Sequence, residues 1–277
     1  MIIKKAATER FGKFLFIMQS AALVFFLFAC QTVPVTGREQ LSLIPSQQIT
    51  ALSQNQYQEF IASHQVVQNK SEAKMVKDVG MRIKNAVETY LSENGMSDRI
   101  EGYNWEFNLI DEPSRNAWAM PGGKVVIYTG ILPVTRNETG LATVMGHEIA
   151  HVVAGHGNER MSQALLTQLG GQALQAALST KPQLTQQLFM AAFGLGAQVG
   201  VLLPYSRLQE KEADHLGLIF MAMAGYNPRA AVDFWQRMMA AESGASPPQF
   251  LSTHPAGPNR IDNIQEIMPE ALSYYKR

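Results

Sequence analysis

From Ser46 to Leu91 the chain mixes Gln, Lys, Glu and Ala with apolar residues, and Met75, Val79, Ile83 and Val87 recur every four positions. That spacing predicts an amphipathic helical region over 46–92. Asn94-Gly95 interrupts it, after which Trp105, Phe107 and Leu109 alternate with Asn104, Glu106 and Asn108 as one face of a strand should. A second, β-branched run, 124–129, follows Pro121-Gly122-Gly123. The two runs predict a small antiparallel sheet over 103–131, hairpin-like around the glycines.

Helical periodicity then resumes. Leu141, Val144, Met145 and Val152 form a stripe, and Thr135 and Glu138 stand at capping-box spacing before it, so a helix is expected over 136–154. Ser206 and Gln209 repeat that spacing ahead of Leu216, Phe220 and Met223, and Gly225 closes a helix over 206–224. Asn227-Pro228 opens another through Phe234, Trp235 and Met238 towards Gly244, and Ile261, Ile264 and Ile267 mark a short last one after a Pro-rich stretch. The fold class expected is α+β, mostly helical, with a small antiparallel sheet beside the 136–154 helix.

The stretch between Arg160 and Arg207 carries one charge, Lys181, but Gln residues interrupt it throughout. Its longest segment free of Gln and charge around Phe193, 188–197, is too short to cross a bilayer. Two buried helices are the simpler reading of 162–203; an apolar lid over a groove, or a surface against lipid headgroups, is the alternative.

Composition narrows the classes. The 277 residues are 46% hydrophobic with 23 basic and 23 acidic side chains, enough for a packed core and far from a disordered composition. Lys4, Lys5, Arg10 and Lys13 are concentrated in 1–29, so the rest is slightly acidic and no nucleic-acid partner is expected. Those cations precede an apolar run from Phe14 to Ala29, the pattern of a cleaved signal peptide over 1–29. The run is short for a permanent membrane span. Cys30 is the only cysteine, which excludes an intramolecular disulfide and any cysteine-based zinc cluster. Leu27-Phe28-Ala29-Cys30 resembles a bacterial lipobox, implying lipidation at Cys30. Gln31 is not the aspartate that commonly retains such lipoproteins in the inner membrane, so outer-membrane attachment facing the periplasm is expected. The mature chain, 30–277, is read as one domain.

The chemistry lies in His147-Glu148-Ile149-Ala150-His151. Residues four apart on a helix share a face, so both imidazoles can converge on one ion, while Glu148 can reach the water beside it as general base. A catalytic zinc site needs a third protein ligand. His156 falls off the His147/His151 face and is read as structural. Glu210 and Asp214, four apart on the 206–224 helix, are the better candidates: Glu210 as ligand, and Asp214 as acceptor for the free ring N–H of a ligand His, with His147 the expected partner. Glu212 points elsewhere on that helix and is expected to be a solvated charge.

At these residues the chain resembles the zinc metallopeptidase family of the CAAX prenyl protease, HtpX and the periplasmic lipoproteins of the BepA and LoiP kind. The resemblance is carried by His147-Glu148-x-x-His151 with Ser206-Arg207-x-x-Glu210-x-Glu212-Ala213-Asp214-x-x-Gly217, by Thr36-Gly37-Arg38-x-Gln40, by Asn116-Ala117-Trp118-Ala119-x-Pro121-Gly122-Gly123, and by Thr253-His254-Pro255 with Arg260-Ile261. It implies a gluzincin-type domain holding one zinc ion per chain, with His147, His151 and Glu210 as ligands, Glu148 as catalytic base and Asp214 behind a ligand. It also implies that His254 can approach the zinc as a fourth ligand, although a turn residue in a Pro-rich loop is the plainer alternative. Arg260 either stabilises an oxyanion or braces the loop.

The function expected is zinc-dependent endopeptidase action on misfolded or unassembled periplasmic and outer-membrane proteins, the substrate lying extended along Trp118, Ala119 and Met120. Contact with outer-membrane assembly machinery fits that role. The rival reading is a lipid-anchored chaperone or assembly factor for outer-membrane proteins, with a latent metal site.

Overall fold

The computed structural model describes residues 30–169, 182–193, 205–242, 248–255 and 257–275. The expected signal segment 1–29, and 170–181 and 194–204 of the apolar stretch, lie outside the described residues. Among the described residues, no helix is long and apolar enough to cross a membrane.

Two short antiparallel strands come first, β1 (Cys30–Thr32) and β2 (Glu39–Leu41). The helical region expected over 46–92 is two helices, α1 (Ser46–Ser63) and α2 (Ser71–Glu93). Next come β3 (Glu106–Ile110), β4 (Ala117–Met120) and β5 (Lys124–Tyr128), then a single turn, α3 (Leu132–Thr135), and the long α4 (Glu138–Ala154). The remaining helices are α5 (His156–Leu169), α6 (Pro182–Ala192), α7 (Arg207–Met223), α8 (Ala230–Ala240), α9 (Gln249–Thr253) and α10 (Arg260–Ser273). The chain is mostly helical, with a small sheet beside the 138–154 helix, as the sequence predicts.

One detail of the sheet differs. Its order is β3-β5-β4, with β4 antiparallel to β5 but β3 parallel to it, Glu106 opposite Lys124 and Ile110 opposite Tyr128. The glycine turn builds the hairpin from β4 and β5, and the strand containing Phe107 and Leu109 joins the other edge of β5. That leaves β5 central and buried along its whole length. Val125 and Ile127 face one apolar cluster, with Val76, Val79, Ile83 and Val87 of α2 and with α4; Val126 and Tyr128 face another, with Tyr57 and Phe60 of α1, Trp118 of β4, and Leu188 and Phe189 of α6. A strand covered on both sides reads as a continuous apolar run, as 125–128 does. Lys124 is the exception: its ammonium donates to Asn104 O and Glu106 Oε1, both at 2.6 Å.

The cap of α4 also differs from expectation. Thr135 belongs to α3, and Arg136 at φ +67° turns the chain out of it. Asn137, extended, then caps α4 by accepting from Gly140 N at 3.0 Å. Gly155 ends α4 at φ +79°, a left-handed terminator as glycine favours. The box at Ser206 and Gln209 forms in both directions and starts α7.

Candidate metal centre

The helix α4 is buried from Gly140 to Ala154, so its polar residues must be satisfied by partners rather than by water. His147 and His151, one turn apart, present Nε2 atoms 3.1 Å from each other. α7 crosses α4 and brings Glu210 opposite: its Oε2 lies 3.5 Å from His147 Nε2 and its Oε1 3.4 Å from His151 Nε2. The loop after α9 supplies His254, whose Nδ1 is 3.2 Å from His147 Nε2 and 3.1 Å from Glu210 Oε1. All four side chains are buried.

These separations test whether the residues fit a metal ion. Zinc takes nitrogen and oxygen donors at about 2.0–2.2 Å, and donors at the corners of a tetrahedron of that size stand roughly 3.3–3.6 Å apart. The five distances above, 3.1–3.5 Å, are close to those edges. Three imidazoles and a carboxylate turned towards one point form a donor set for a cation. Among the described residues this is the group of four His, Asp or Glu side chains whose donor atoms gather closely enough to share one.

Glu148 stands at the rim of that group. Its Oε1 is buried without a hydrogen-bond partner; His254 Nε2 is 3.3 Å away but not in hydrogen-bonding geometry. The Ala119 amide of β4 donates to the carboxylate. Burial pushes the Glu148 carboxyl upward, only partly offset by His254 and His147. A buried carboxylate oxygen with a free lone pair is suited to accept a proton.

Behind the donors stands a layer of hydrogen bonds. Asp214 Oδ1 is 2.9 Å from His147 Nδ1. Arg260 donates from Nη1 to Glu210 Oε2 at 2.8 Å and from Nη2 to Asp214 Oδ1 at 2.7 Å, its guanidinium stacked 3.2 Å over Trp235. It thus bridges the two carboxylates of α7. Tyr205 stacks on the His151 ring at 3.8 Å.

The electrostatics treat the two helix histidines differently: burial, with His147 beside it, holds His151 well below its ordinary value. Burial alone would lower the pKa of His147, yet hydrogen bonding to Asp214 and Glu210 outweighs it and lifts the value to about 9. Burial also opposes ionisation of Glu210, but His254 and Arg260 beside it hold it well below the usual carboxylate range. A pocket that raises a histidine this way rewards any cation placed among its carboxylates, a metal ion no less than a proton.

Sequence reasoning misplaced one residue and passed over another. Glu212, expected to be solvated, is buried, and Arg38 Nε and Thr36 Oγ1 donate to its Oε1 at 2.9 and 2.8 Å. The reason is that β1, β2 and their loop cover that side of α7, a tertiary contact that helix periodicity does not report. His156, set aside from the ligands, is indeed not among the four donors, but its Nδ1 is 2.9 Å from His151 Nδ1. Tyr205 went unremarked; its position just before the Ser206 cap was the available signal. Trp118, Ala119 and Met120 form β4, whose side chains are buried and whose outer edge faces Glu148 through Ala119.

Comparison with known proteins agrees with this geometry. Residues 80–268 match the profile of the family described as Peptidase family M48. The chain is similar to the mitochondrial metalloendopeptidase OMA1 of Schizosaccharomyces pombe, 32% identical over 249 residues, 90% of this chain and 69% of the relative. It is 31% identical over 256 residues to the mitochondrial metalloendopeptidase OMA1 of Homo sapiens, covering 90% of this chain and 48% of that one. It also resembles the beta-barrel assembly-enhancing protease of Yersinia pestis, 32% identical over 169 residues, 58% of this chain and 34% of the relative. The chain therefore spans about half the length of the human relative and about a third of the Yersinia one.

Proposed function

As the chain belongs to peptidase family M48 and is a zinc metallopeptidase, we propose that it is an endopeptidase of the bacterial cell envelope that cleaves misfolded or unassembled proteins. The observation that carries the catalytic part is the convergence of His147, His151, Glu210 and His254, with the unpartnered Glu148 Oε1 at its rim. The cellular part rests on the lipobox-like Leu27-Phe28-Ala29-Cys30 and on the similarity to a bacterial beta-barrel assembly-enhancing protease. The mitochondrial relatives share the chemistry. In this reading Cys30 is lipidated and becomes the first mature residue when 1–29 is removed, and the chain faces the periplasm from the outer membrane.

His147, His151 and Glu210 would hold the zinc, with His254 within reach as a further donor. Zinc supplies Lewis acidity, polarising the scissile carbonyl and acidifying water. Glu148 takes the proton of the attacking water on Oε1 and delivers it to the departing amide nitrogen. Asp214 accepts the Nδ1 proton of His147, which leaves Nε2 free to bind the metal. Arg260 holds Glu210 and Asp214 in place through its two terminal nitrogens. The substrate backbone lies along β4, whose edge presents main-chain groups rather than side chains. Pairing of that kind tolerates many sequences, which suits unfolded clients.

The test is digestion of denatured casein by purified protein of measured zinc content. Fragments are expected from the wild type, none after chelation, and far fewer from Glu148→Gln. The chaperone reading requires the opposite: equal protection of an outer-membrane client with and without zinc, and no fragments.

A further inference from the structure

His151 is joined to a chain of hydrogen bonds that reaches the loop between the first strands. Its Nδ1 is 2.9 Å from His156 Nδ1, and His156 Nε2 is 3.0 Å from Glu212 Oε2. Glu212 in turn accepts from Thr36 Oγ1 and from Arg38 Nε and Nη2 at 2.8, 2.9 and 3.0 Å. Arg38 is also bidentate on Glu159, at 2.7 and 2.9 Å, and Gln209 donates to the same carboxylate at 2.6 Å. The Gln40 side chain donates to Ala154 O, where α4 ends. His156 and Glu212 are buried, while Arg38 is partly exposed on the loop between β1 and β2.

The order of protons along this chain is determined by its ends. The Glu212 carboxylate already takes three donors from the loop and only accepts, so the proton shared with His156 belongs to His156 Nε2. Two bare nitrogens cannot bond, so the contact between the Nδ1 atoms needs one proton. If His156 carried it, His151 Nδ1 would be the acceptor and the proton of neutral His151 would sit on Nε2, where the metal must bind. The arrangement compatible with coordination has His151 Nδ1–H donating to a neutral His156 and leaves His151 Nε2 bare.

We propose that the Thr36–Gln40 loop is a built part of the metal centre: through Glu212 and His156 it sets the tautomer and ring orientation of His151, which makes Arg38, Glu212 and His156 positioning residues for the zinc. His147 has its own carboxylate, Asp214, on the same helix as Glu210. His151 Nδ1 meets a histidine instead and reaches its carboxylate, Glu212, through that second ring. The consequence is that the segment immediately following Cys30 is coupled to metal affinity at the active site. The proposal rests on the reading of His151 as a ligand.

The test is titration of metal-free full-length protein with zinc against a chromophoric chelator, with thermal unfolding of the metal-free form measured alongside. His156→Phe, which keeps an aromatic ring and removes both nitrogens, is expected to weaken zinc binding by about 10–100-fold, the usual effect of removing the partner of a ligating histidine. Arg38→Gln is expected to weaken it several-fold in the wild-type background and not at all in the His156→Phe background, because both act along one path. Ile83→Ala, a core residue of α2 that is neither a donor nor in the hydrogen-bond chain, serves as a control that lowers the unfolding midpoint while leaving zinc affinity unchanged. If His156→Phe does not fold, Arg38→Gln alone decides. The proposal is overturned if the relay variants lower the unfolding midpoint yet keep the wild-type zinc affinity while His147→Ala and His151→Ala abolish it. If those two ligand variants also leave zinc bound, the ligand assignment itself fails.

Discussion

Gly146 and Gly217 set how closely the two donor-bearing helices approach: a Cβ on Gly146 would lie 2.8 Å from Gly217 O, and one on Gly217 would lie 2.9 Å from His147 N. The neighbouring atoms are backbone, which cannot rotate aside. The distances between His147 and the two carboxylates of α7, Glu210 and Asp214, depend on this crossing. Gly217→Ala is therefore expected to force the helices apart, at a cost of about 1–3 kcal/mol in stability, and to weaken zinc binding in the folded protein. Urea unfolding together with zinc titration checks both effects. An unchanged zinc affinity would show that the centre tolerates a wider crossing.

Glu148 differs from its neighbours in having an oxygen with no hydrogen-bond partner. Glu148→Gln keeps the shape and removes the base. The expected result is full zinc content and casein cleavage reduced by about 10²–10⁴-fold, the usual worth of a general base. Metal analysis and digestion of the same preparation make the comparison. Full activity in that variant would remove Glu148 from the mechanism.

Much of this was legible in the sequence, and the parts that were not have physical reasons. Helical spacing alone places His147 with His151 and Glu210 with Asp214, because residues four apart share a face whatever surrounds the helix. The Ser206 capping box is equally local. What the sequence misjudged is non-local. Glu212 lies among charged residues in the pattern of a solvated face, and only the fold of the β1–β2 loop over α7 makes it a buried partner of Arg38. The strand at 106–110 shows its alternation but not its direction, since nothing within five residues says which edge of β5 it will join. Thr135 mimicked a cap because the true stop is the positive φ of Arg136, a conformation uncommon for a non-glycine residue.

Asp214 receives two contacts of similar length, from His147 Nδ1 at 2.9 Å and Arg260 Nη2 at 2.7 Å. Asp214→Asn retains the size and an acceptor oxygen but loses the charge and can present an N–H to either partner. Zinc affinity is expected to fall about 10–100-fold, as for other histidines deprived of a carboxylate partner. Competition with a chelator of known affinity reads the change, and a variant as tight as the wild type would leave Asp214 with a purely structural part.

His254 bears on whether the site rests open or closed. Its Nδ1 lies 3.1 Å from Glu210 Oε1, inside the donor group, and its Nε2 lies 3.3 Å from Glu148 Oε1. A ring so placed competes with water for the position that the reaction needs, and it crowds the base that must receive the proton. His254 enters from the loop after α9, whereas His147, His151 and Glu210 sit on long buried helices, so it is the donor with the least scaffold behind it. His254→Ala is expected to lower zinc affinity, since one of four donors is lost, and to raise casein cleavage per bound zinc, since the fourth position opens to water. Normalising turnover to metal content separates the two effects. If cleavage per zinc falls instead, His254 belongs to the working machinery, and the resting site is open.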